Sequence, residues 1–155
     1  MKFSSREDIE APIQDVFDFL CDFNSFERQA MRRGAVVQRV DKLREPGLGM
    51  TWDVSFNLRG KKRDVRLTMR DFAPPTNIGL AAKSQGIDGS FVIELIALSR
   101  TRTRMSIALE LKPMNLSARL LIQSLKLAKS SLNKRFKLRV AEYTKVIEDR
   151  LRRTA

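Results

Sequence analysis

The sequence predicts an α+β fold in which a curved antiparallel sheet of six to seven strands wraps around a long C-terminal helix. Two observations lead to this prediction. Apolar and polar residues alternate with a period of two through much of residues 35–112, as they do in strands with one buried face. After Pro113 the apolar residues recur every three or four positions, which indicates an amphipathic helix.

The N-terminal part of the chain predicts one strand followed by two short helices. Residues 2–10 alternate in part and form the predicted first strand. Pro12 is expected to open the first helix, because its missing N–H costs nothing at the first helical position. Asn24 with Glu27 has the spacing of a capping box for the second helix, and Gly34 is its expected stop signal.

Further strands follow one another, separated by short turns. Consecutive strands joined in this way favour an antiparallel meander. Arg59-Gly60-Lys61-Lys62-Arg63 is interpreted as a basic turn whose cations either contact phosphates or keep the sheet edge soluble. The strands are predicted at residues 35–43, 50–58, 63–72, 77–84, 91–95 and 103–111.

The C-terminal segment is predicted as one continuous helix over residues 117–151. No glycine or proline interrupts residues 114–155. A helix of this length extends roughly 50 Å, so its apolar stripe must lie across the sheet or find a partner. Other leucines fall outside that stripe and also need a partner, for which the sheet rim or a second protomer is preferred to a membrane surface. These are Leu116, Leu120, Leu127 and Leu138.

The chain is strongly basic, with 30 Lys and Arg against 18 Asp and Glu and a formal charge of +12. Most of the excess lies in residues 112–155. A basic face attracts an anionic membrane, nucleic acid or an acidic protein, and a solvated helix face is the plainer alternative. Nucleic acid is disfavoured as a partner, because Phe136 and Tyr143 lie on the apolar stripe and not beside the cations.

Composition excludes several kinds of chemistry. The chain has no histidine and one cysteine, which excludes Ser-His-Asp and Cys-His catalysis, an internal disulfide and nearly all zinc sites. Asp15, Asp18 and Asp22 share one helix side, and we expect a solvated face there and no metal site. No cofactor is expected. The N-terminus lacks an apolar signal segment, so the cytoplasm is the expected location.

Two short motifs resemble the opening of the START-like superfamily. They are Ile9-Glu10-Ala11-Pro12 and, after it, Val16-Phe17 with Leu20-Cys21-Asp22. The break at Phe72-Ala73-Pro74-Pro75 and the terminal helix fit the same template. Within that superfamily the sequence is most similar to the polyketide cyclase/dehydrase and lipid-transport proteins of the SRPBCC group. The resemblance implies one domain over residues 1–155, a helix-grip fold, and a hydrophobic small molecule or lipid bound in a central cavity. No catalytic set of the group can be matched here.

The ligand-binding residues are predicted from the inward faces of the strands and of the long helix. Apolar residues on these faces would line a cavity, but they would equally form a solid core, and the sequence does not separate the two. On the long helix, Leu132 would also belong to the side that faces the sheet. The predicted set is Trp52, Val54, Phe56, Val65, Leu67, Met69, Phe91, Ile93, Leu95, Met105, Ile107, Leu121, Leu125 and Ala128.

Three functions remain open at this point. The first is non-catalytic binding of a hydrophobic ligand in the cavity. The second is a cyclase or dehydrase type of enzyme, which would need a convergent polar pair that the inward faces do not offer. The third is an interaction protein whose basic helix binds an anionic membrane, RNA or an acidic protein, and a homodimer through the same helix is a further alternative.

Overall fold

The computed structural model describes residues 1–154, which form a seven-stranded antiparallel sheet and four helices. The strand order is β1-β7-β6-β5-β4-β3-β2, so that β1 and β2 are the edge strands. The predicted α+β class is confirmed. The strands are β1 (Lys2–Ile9), β2 (Val36–Arg39), β3 (Thr51–Leu58), β4 (Lys61–Ala73), β5 (Asn77–Ser84), β6 (Ile87–Ser99) and β7 (Arg102–Pro113). The helices are α1 (Ile13–Leu20), α2 (Phe23–Arg32), α3 (Leu116–Lys126) and α4 (Lys129–Thr154).

The two short helices are present, but one of their predicted signals is wrong. Pro12 directly precedes α1, and α2 begins at Phe23 behind Asp22, whose carboxylate accepts a hydrogen bond from the Ser25 N–H at 3.2 Å. The predicted cap Asn24 lies inside α2. Its expected partner Glu27 accepts a hydrogen bond from Trp52 Nε1 at 2.8 Å instead, so this tertiary contact takes the place of a capping box.

Helix α2 stops just before Gly34, the predicted stop signal. Gly34 has a φ of 94°, a conformation that glycine adopts without strain. Its N–H donates to the Met31 carbonyl, and the Ala35 N–H donates to the Ala30 carbonyl, at 3.0 and 3.1 Å. These two bonds satisfy the last carbonyls of the helix and turn the chain toward β2.

The strand predicted over residues 35–43 is shorter in the structure, where only Val36–Arg39 pairs with β3. Asp41 ends it. Its carboxylate accepts two hydrogen bonds from the Arg39 guanidinium at 2.8 and 2.9 Å and one each from the Leu43 and Thr51 N–H groups at 2.9 Å. A side chain that binds its own backbone neighbours competes with strand pairing, and here it fixes the loop before β3.

Acid should weaken this loop. The Arg39 guanidinium, together with the two backbone N–H groups, holds the pKa of Asp41 well below its ordinary value. The stabilisation is therefore complete above about pH 5, and it is lost progressively as the pH falls through the ordinary pKa of Asp toward the lower pKa of the folded state. We expect Asp41→Asn to lower the free energy of unfolding by about 1–3 kcal/mol at pH 7 and to flatten its decline between about pH 5 and pH 2.

Urea denaturation across that pH range measures the effect. Asp71→Asn, at an exposed position of β4, is the control and should leave both values close to wild type. Parallel pH curves for wild type and Asp41→Asn would contradict the assignment of this pH dependence to Asp41.

The single long helix predicted over residues 117–151 is wrong in one respect. The chain breaks into α3 and α4 at Leu127 and Ala128, although no glycine or proline is present there. At the break the Ala128 N–H donates to the Leu125 carbonyl at 3.0 Å, a bond of the tighter three-residue turn. Because α3 contacts β7 and α4 packs along β1, one straight helix could not follow the curved sheet.

None of the helices within residues 1–154 is both long and apolar enough to cross a membrane.

Candidate functional site

The predicted strand residues share the concave face of the sheet. Cα partners lie on the same side of an antiparallel pair, so the pairing identifies the face. A bulge between Met69 and Asp71 shifts the alternation of β4 and brings Phe72 to the same side as Met69. The pairs on this face include Trp52–Leu67, Val54–Val65, Met69–Leu80, Leu80–Phe91, Ile93–Ile107 and Leu95–Met105.

One end of the concave face is a filled core. Met69 and Met105 are at most 1% exposed and pack in one cluster with Phe17 of α1 and with Val140 and Ile147 of α4. Side chains packed in this way leave no room for a ligand. Of the predicted site residues, this end contains Trp52, Met69, Ile93, Leu95, Met105 and Ile107.

The other end of the concave face, below α3, is less closely packed. Phe56 and Val65 of the sheet and Leu121, Leu125 and Ala128 of the helical segment are half-buried and lie outside the core cluster. Between the two ends are Val54, Leu67 and Phe91, which are half-buried and contact the core on one side. The structure thus divides the predicted residues into a core set and a set below α3, which we call the α3 end.

Two turns of the sheet hold α3 over this end. Arg59, in the β3–β4 turn, donates a hydrogen bond through its guanidinium to Ser124 Oγ. In the β5–β6 turn, the Gly86 carbonyl accepts a hydrogen bond from the Met114 N–H at 2.6 Å. Asn115 caps α3 by accepting from the Ala118 N–H at 2.8 Å, and its side chain lies against Gly86. These contacts position α3 at both ends.

The sequence interpretation missed several residues on the concave face. Leu109 and Leu111 continue the same alternation in β7, and could have been included on that signal. Arg63 was assigned to a basic turn, but β4 begins at Lys61, so Arg63 belongs to the strand and is paired with Phe56. The other missed residues are Ile78, Leu80, Ala82 and Ile87.

Two open grooves lie on the sheet. One, of about 620 Å³, is centred on the outer face of β3, β4 and β5, where Asp53 forms an ion pair with Arg66 at 2.8 Å, and its lining also includes Val54 and Val65. A second, of about 610 Å³, lies along β1 and includes Glu94 and Lys137. Charged side chains contribute to both, and neither of these two grooves is an enclosed apolar pocket.

Two buried groups could be mistaken for catalytic ones. Burial, together with the nearby negative charge of Asp18, raises the pKa of the Cys21 thiol to about 11, so Cys21 is protonated at neutral pH. Burial also raises the pKa of Tyr143, whose hydroxyl has no hydrogen-bond partner among the described residues and whose ring packs against Phe19 and Phe26. Neither group is activated for proton or acyl transfer.

The comparisons with known proteins rest on structure. No protein-family model matches the chain, and no curated protein matches it. The structure superimposes on the Zhui aromatase/cyclase from Streptomyces sp. R1128 with a TM-score of 0.66 over 100% of this chain and 96% of that one, at 13% identity. It superimposes on a START superfamily protein from Mycobacterium smegmatis with a TM-score of 0.54 over 86% of this chain and 95% of that one, at 12% identity. The chain has a START-like fold.

A third similar structure, Ara h 8.0201, has a TM-score of 0.59 over 96% of this chain and 95% of that one, at 15% identity. In the START-like helix-grip arrangement the sheet curves around the C-terminal helix, as it does here with α4. The predicted helix-grip fold is therefore confirmed. At these identities the likeness extends to the fold and not to a shared activity.

Proposed function

We propose that the protein binds a hydrophobic small molecule or lipid between the concave face of the sheet and α3, without catalysis. The observation that carries this proposal is the division of the concave face into a filled core and a loosely packed α3 end. Phe56, Val65 and Leu125 are half-buried apolar side chains that the core does not cover. An apolar ligand would cover them and gain the free energy of removing that surface from water.

The charged residues of the concave face support a non-catalytic role. Arg63 and Glu7 both face this side of the sheet, because their Cα partners are Phe56 and Met105. They lie on β4 and β1, which three other strands separate. An acid–base pair must converge on one substrate atom within hydrogen-bond reach, and these two residues do not. A cyclase or dehydrase type of enzyme remains the alternative, and turnover of an aromatic polyketide would favour it.

Mass spectrometry of the purified protein, native and after solvent extraction, tests the binding proposal. We expect a stoichiometric apolar molecule in wild type. Val65→Phe should exclude it by filling the α3 end, whereas Lys83→Phe, which adds the same ring to the exposed outer face of β5, should retain it. A protein that is purified empty and also binds none of a panel of lipids and quinones would contradict the proposal.

A second candidate function rests on the outer face of α3. Leu116, Leu120 and Leu127 are 71%, 59% and 92% exposed, so the sheet rim leaves them uncovered. Their spacing places them on one side of the helix, opposite the buried Ala118 and Ile122. We call Leu116, Leu120 and Leu127 the leucine ridge. Exposed apolar side chains that cluster in this way usually mark a contact surface.

The charges beside the leucine ridge favour an anionic lipid surface as its partner. Arg119 and Lys126 lie on one flank of the ridge, and Lys129 begins α4 just beyond it. A twofold dimer through this face would bring the same cations of both copies together, which repel each other. A basic helix with a leucine face binds at the boundary between anionic headgroups and acyl chains.

Sedimentation with vesicles tests this second function. We expect binding to phosphatidylcholine vesicles that contain phosphatidylserine and little binding to phosphatidylcholine alone. The substitution of Lys126, Lys129 and Lys137 by Glu, or of Leu120 and Leu127 by Ser, should weaken binding by at least about tenfold. Ile96→Ser, at an exposed apolar position on β6, is the control. Equal binding to both kinds of vesicle, or a dimer that Leu127→Ser dissociates, would overturn the membrane assignment.

A further inference from the structure

Arg63 places a guanidinium group on the apolar concave face. Its Cα partner is Phe56, and Val65, two residues further along β4, lies on the same side. Arg63 is half-buried, and its Nε atom is fully buried without a hydrogen-bond acceptor among the described residues. A buried N–H of a charged group that has no acceptor is costly, so native proteins normally supply one.

Several other strand arginines of this chain have carboxylate partners. Arg39 pairs with Asp41, Arg66 with Asp53 and Arg104 with Asp8, each with an N–O distance of 2.8 or 2.9 Å. The Arg66 and Arg104 pairs lie on the outer face of the sheet, whereas Arg39 of β2 has Trp52 of the concave face as its Cα partner. Arg63 is also on the concave face, but unlike Arg39 it has no carboxylate within ion-pair distance among the described residues.

No carboxylate of the described residues is placed to neutralise Arg63. The next residue, Asp64, has the opposite orientation and accepts a hydrogen bond from Ser55 on the outer face. Glu27 of α2 accepts the Trp52 indole N–H. Phe56 lies across from Arg63, and the basic residues Lys61 and Lys62 precede it.

Glu7, the acidic residue of the concave face on β1, is remote from Arg63. Across the sheet, Val65 is aligned through Ser84 of β5 with Ile87 of β6, whereas Glu7 is aligned through Met105 of β7 with Leu95 of β6. At the rise of an extended chain, Ile87 and Leu95 lie roughly 27 Å apart along β6.

We propose that the ligand is amphipathic and that Arg63 binds its anionic group, a carboxylate or a phosphate. This inference rests on the proposed ligand-binding function and specifies the class of ligand. The anionic group lies near Phe56 at the end of the concave face, and the apolar part extends past Val65 and Leu67 toward the filled core. A guanidinium binds planar or tetrahedral oxyanions with two parallel hydrogen bonds, which a neutral ligand cannot accept in the same way.

The test compares ligands that share an apolar chain and differ in headgroup. Decanoate, decyl phosphate and the neutral decanol are measured at pH 7.4 by their displacement of the neutral dye Nile red from the full-length protein. We expect at least one anion to bind about tenfold more tightly than decanol, as a charge-assisted hydrogen bond would give. The preferred anion distinguishes a carboxylate from a phosphate ligand.

Substitutions at Arg63 test whether the preference for an anionic amphiphile depends on this residue. Arg63→Met keeps a long side chain without charge, and should remove the preference for the anion while decanol binds as before. Arg63→Lys keeps the charge and should restore part of the preference, which guards against a loss caused by misfolding alone. Arg66→Met, on the outer face of the same strand, is the matched control and should retain the preference.

The outcomes separate this inference from the binding function. Equal affinity of wild type for decanol and both anions would overturn the anionic assignment and leave hydrophobic binding in place. Failure of Nile red and all three amphiphiles to bind would overturn both. An anion preference that persists in Arg63→Met and disappears in Arg66→Met would place the anion on the outer face and also overturn the inference.

Discussion

Phe17→Ala is expected to lower the free energy of unfolding by about 3–5 kcal/mol. Phe17 is 2% exposed, and its ring lies 5.6 Å from that of Phe72 at the filled end of the concave face. Removal of the ring leaves a cavity that the surrounding helices and strands cannot close, so both transfer free energy and packing contacts are lost. Urea denaturation measures the change.

Phe56→Ala is the matched comparison, because it removes the same ring from the α3 end. Phe56 is half-buried and outside the core cluster, so we expect a loss of only about 1 kcal/mol. Equal losses at the two positions would mean that the α3 end is as well packed as the core. That result would also argue against a ligand site there.

Gly86→Ala is expected to lower the free energy of unfolding by about 2–3 kcal/mol. Gly86 has a φ of 74°, which strains any residue with a Cβ. A Cβ at this position would also lie 2.3 Å from the Asn115 side chain, so the cap of α3 would have to move. We therefore expect faster amide hydrogen exchange in α3 in addition to the loss of stability.

Gly49→Ala separates these two causes. Gly49 has a φ of 89°, but a Cβ there would meet no atom within 4 Å, and the residue lies in the loop before β3, away from the two turns that hold α3. Its variant should lose about 1–2 kcal/mol through backbone strain and leave exchange in α3 unchanged. Similar exchange in α3 for both variants would show that Asn115 does not connect the β5–β6 turn to the helix.

The alternation of apolar and polar residues predicted most of the fold, because one face of the sheet is buried and the other is exposed to water. Residues 50–58 were predicted almost to the residue, since strict alternation fixes both the strand and its face. The bounds of the strand at residues 77–84 were also predicted, but not its inward residues. The break at Leu127 and Ala128 was not predictable in this way. The apolar stripe keeps the same phase on both sides of it, and only the curvature of the sheet separates the contacts of α3 from those of α4.

The sequence predicted many of the side chains that face the concave side of the sheet, but not how closely the helices pack over them. Alternation placed Met105 and Val65 on the same side of the sheet, but it could not show that helices cover Met105 completely and Val65 only in part. Arg63 was assigned to an exposed turn because it ends a run of cations next to a glycine. Its place two residues before Val65 already indicated the inward face, and the pairing with Phe56 shows it.

The pairing of β1 with β7 has a consequence for synthesis on the ribosome. Lys2 pairs with Glu110, so β1 leaves the ribosome well before its partner strand β7 and stays unpaired until β7 has been made. The α4 helix that packs along β1 emerges later still. Contacts between such distant segments slow folding to the millisecond-to-second range, and an unpaired strand can join another nascent chain in the meantime. Polar residues at alternate positions of β1, such as Ser4 and Arg6, limit that risk before the sheet closes.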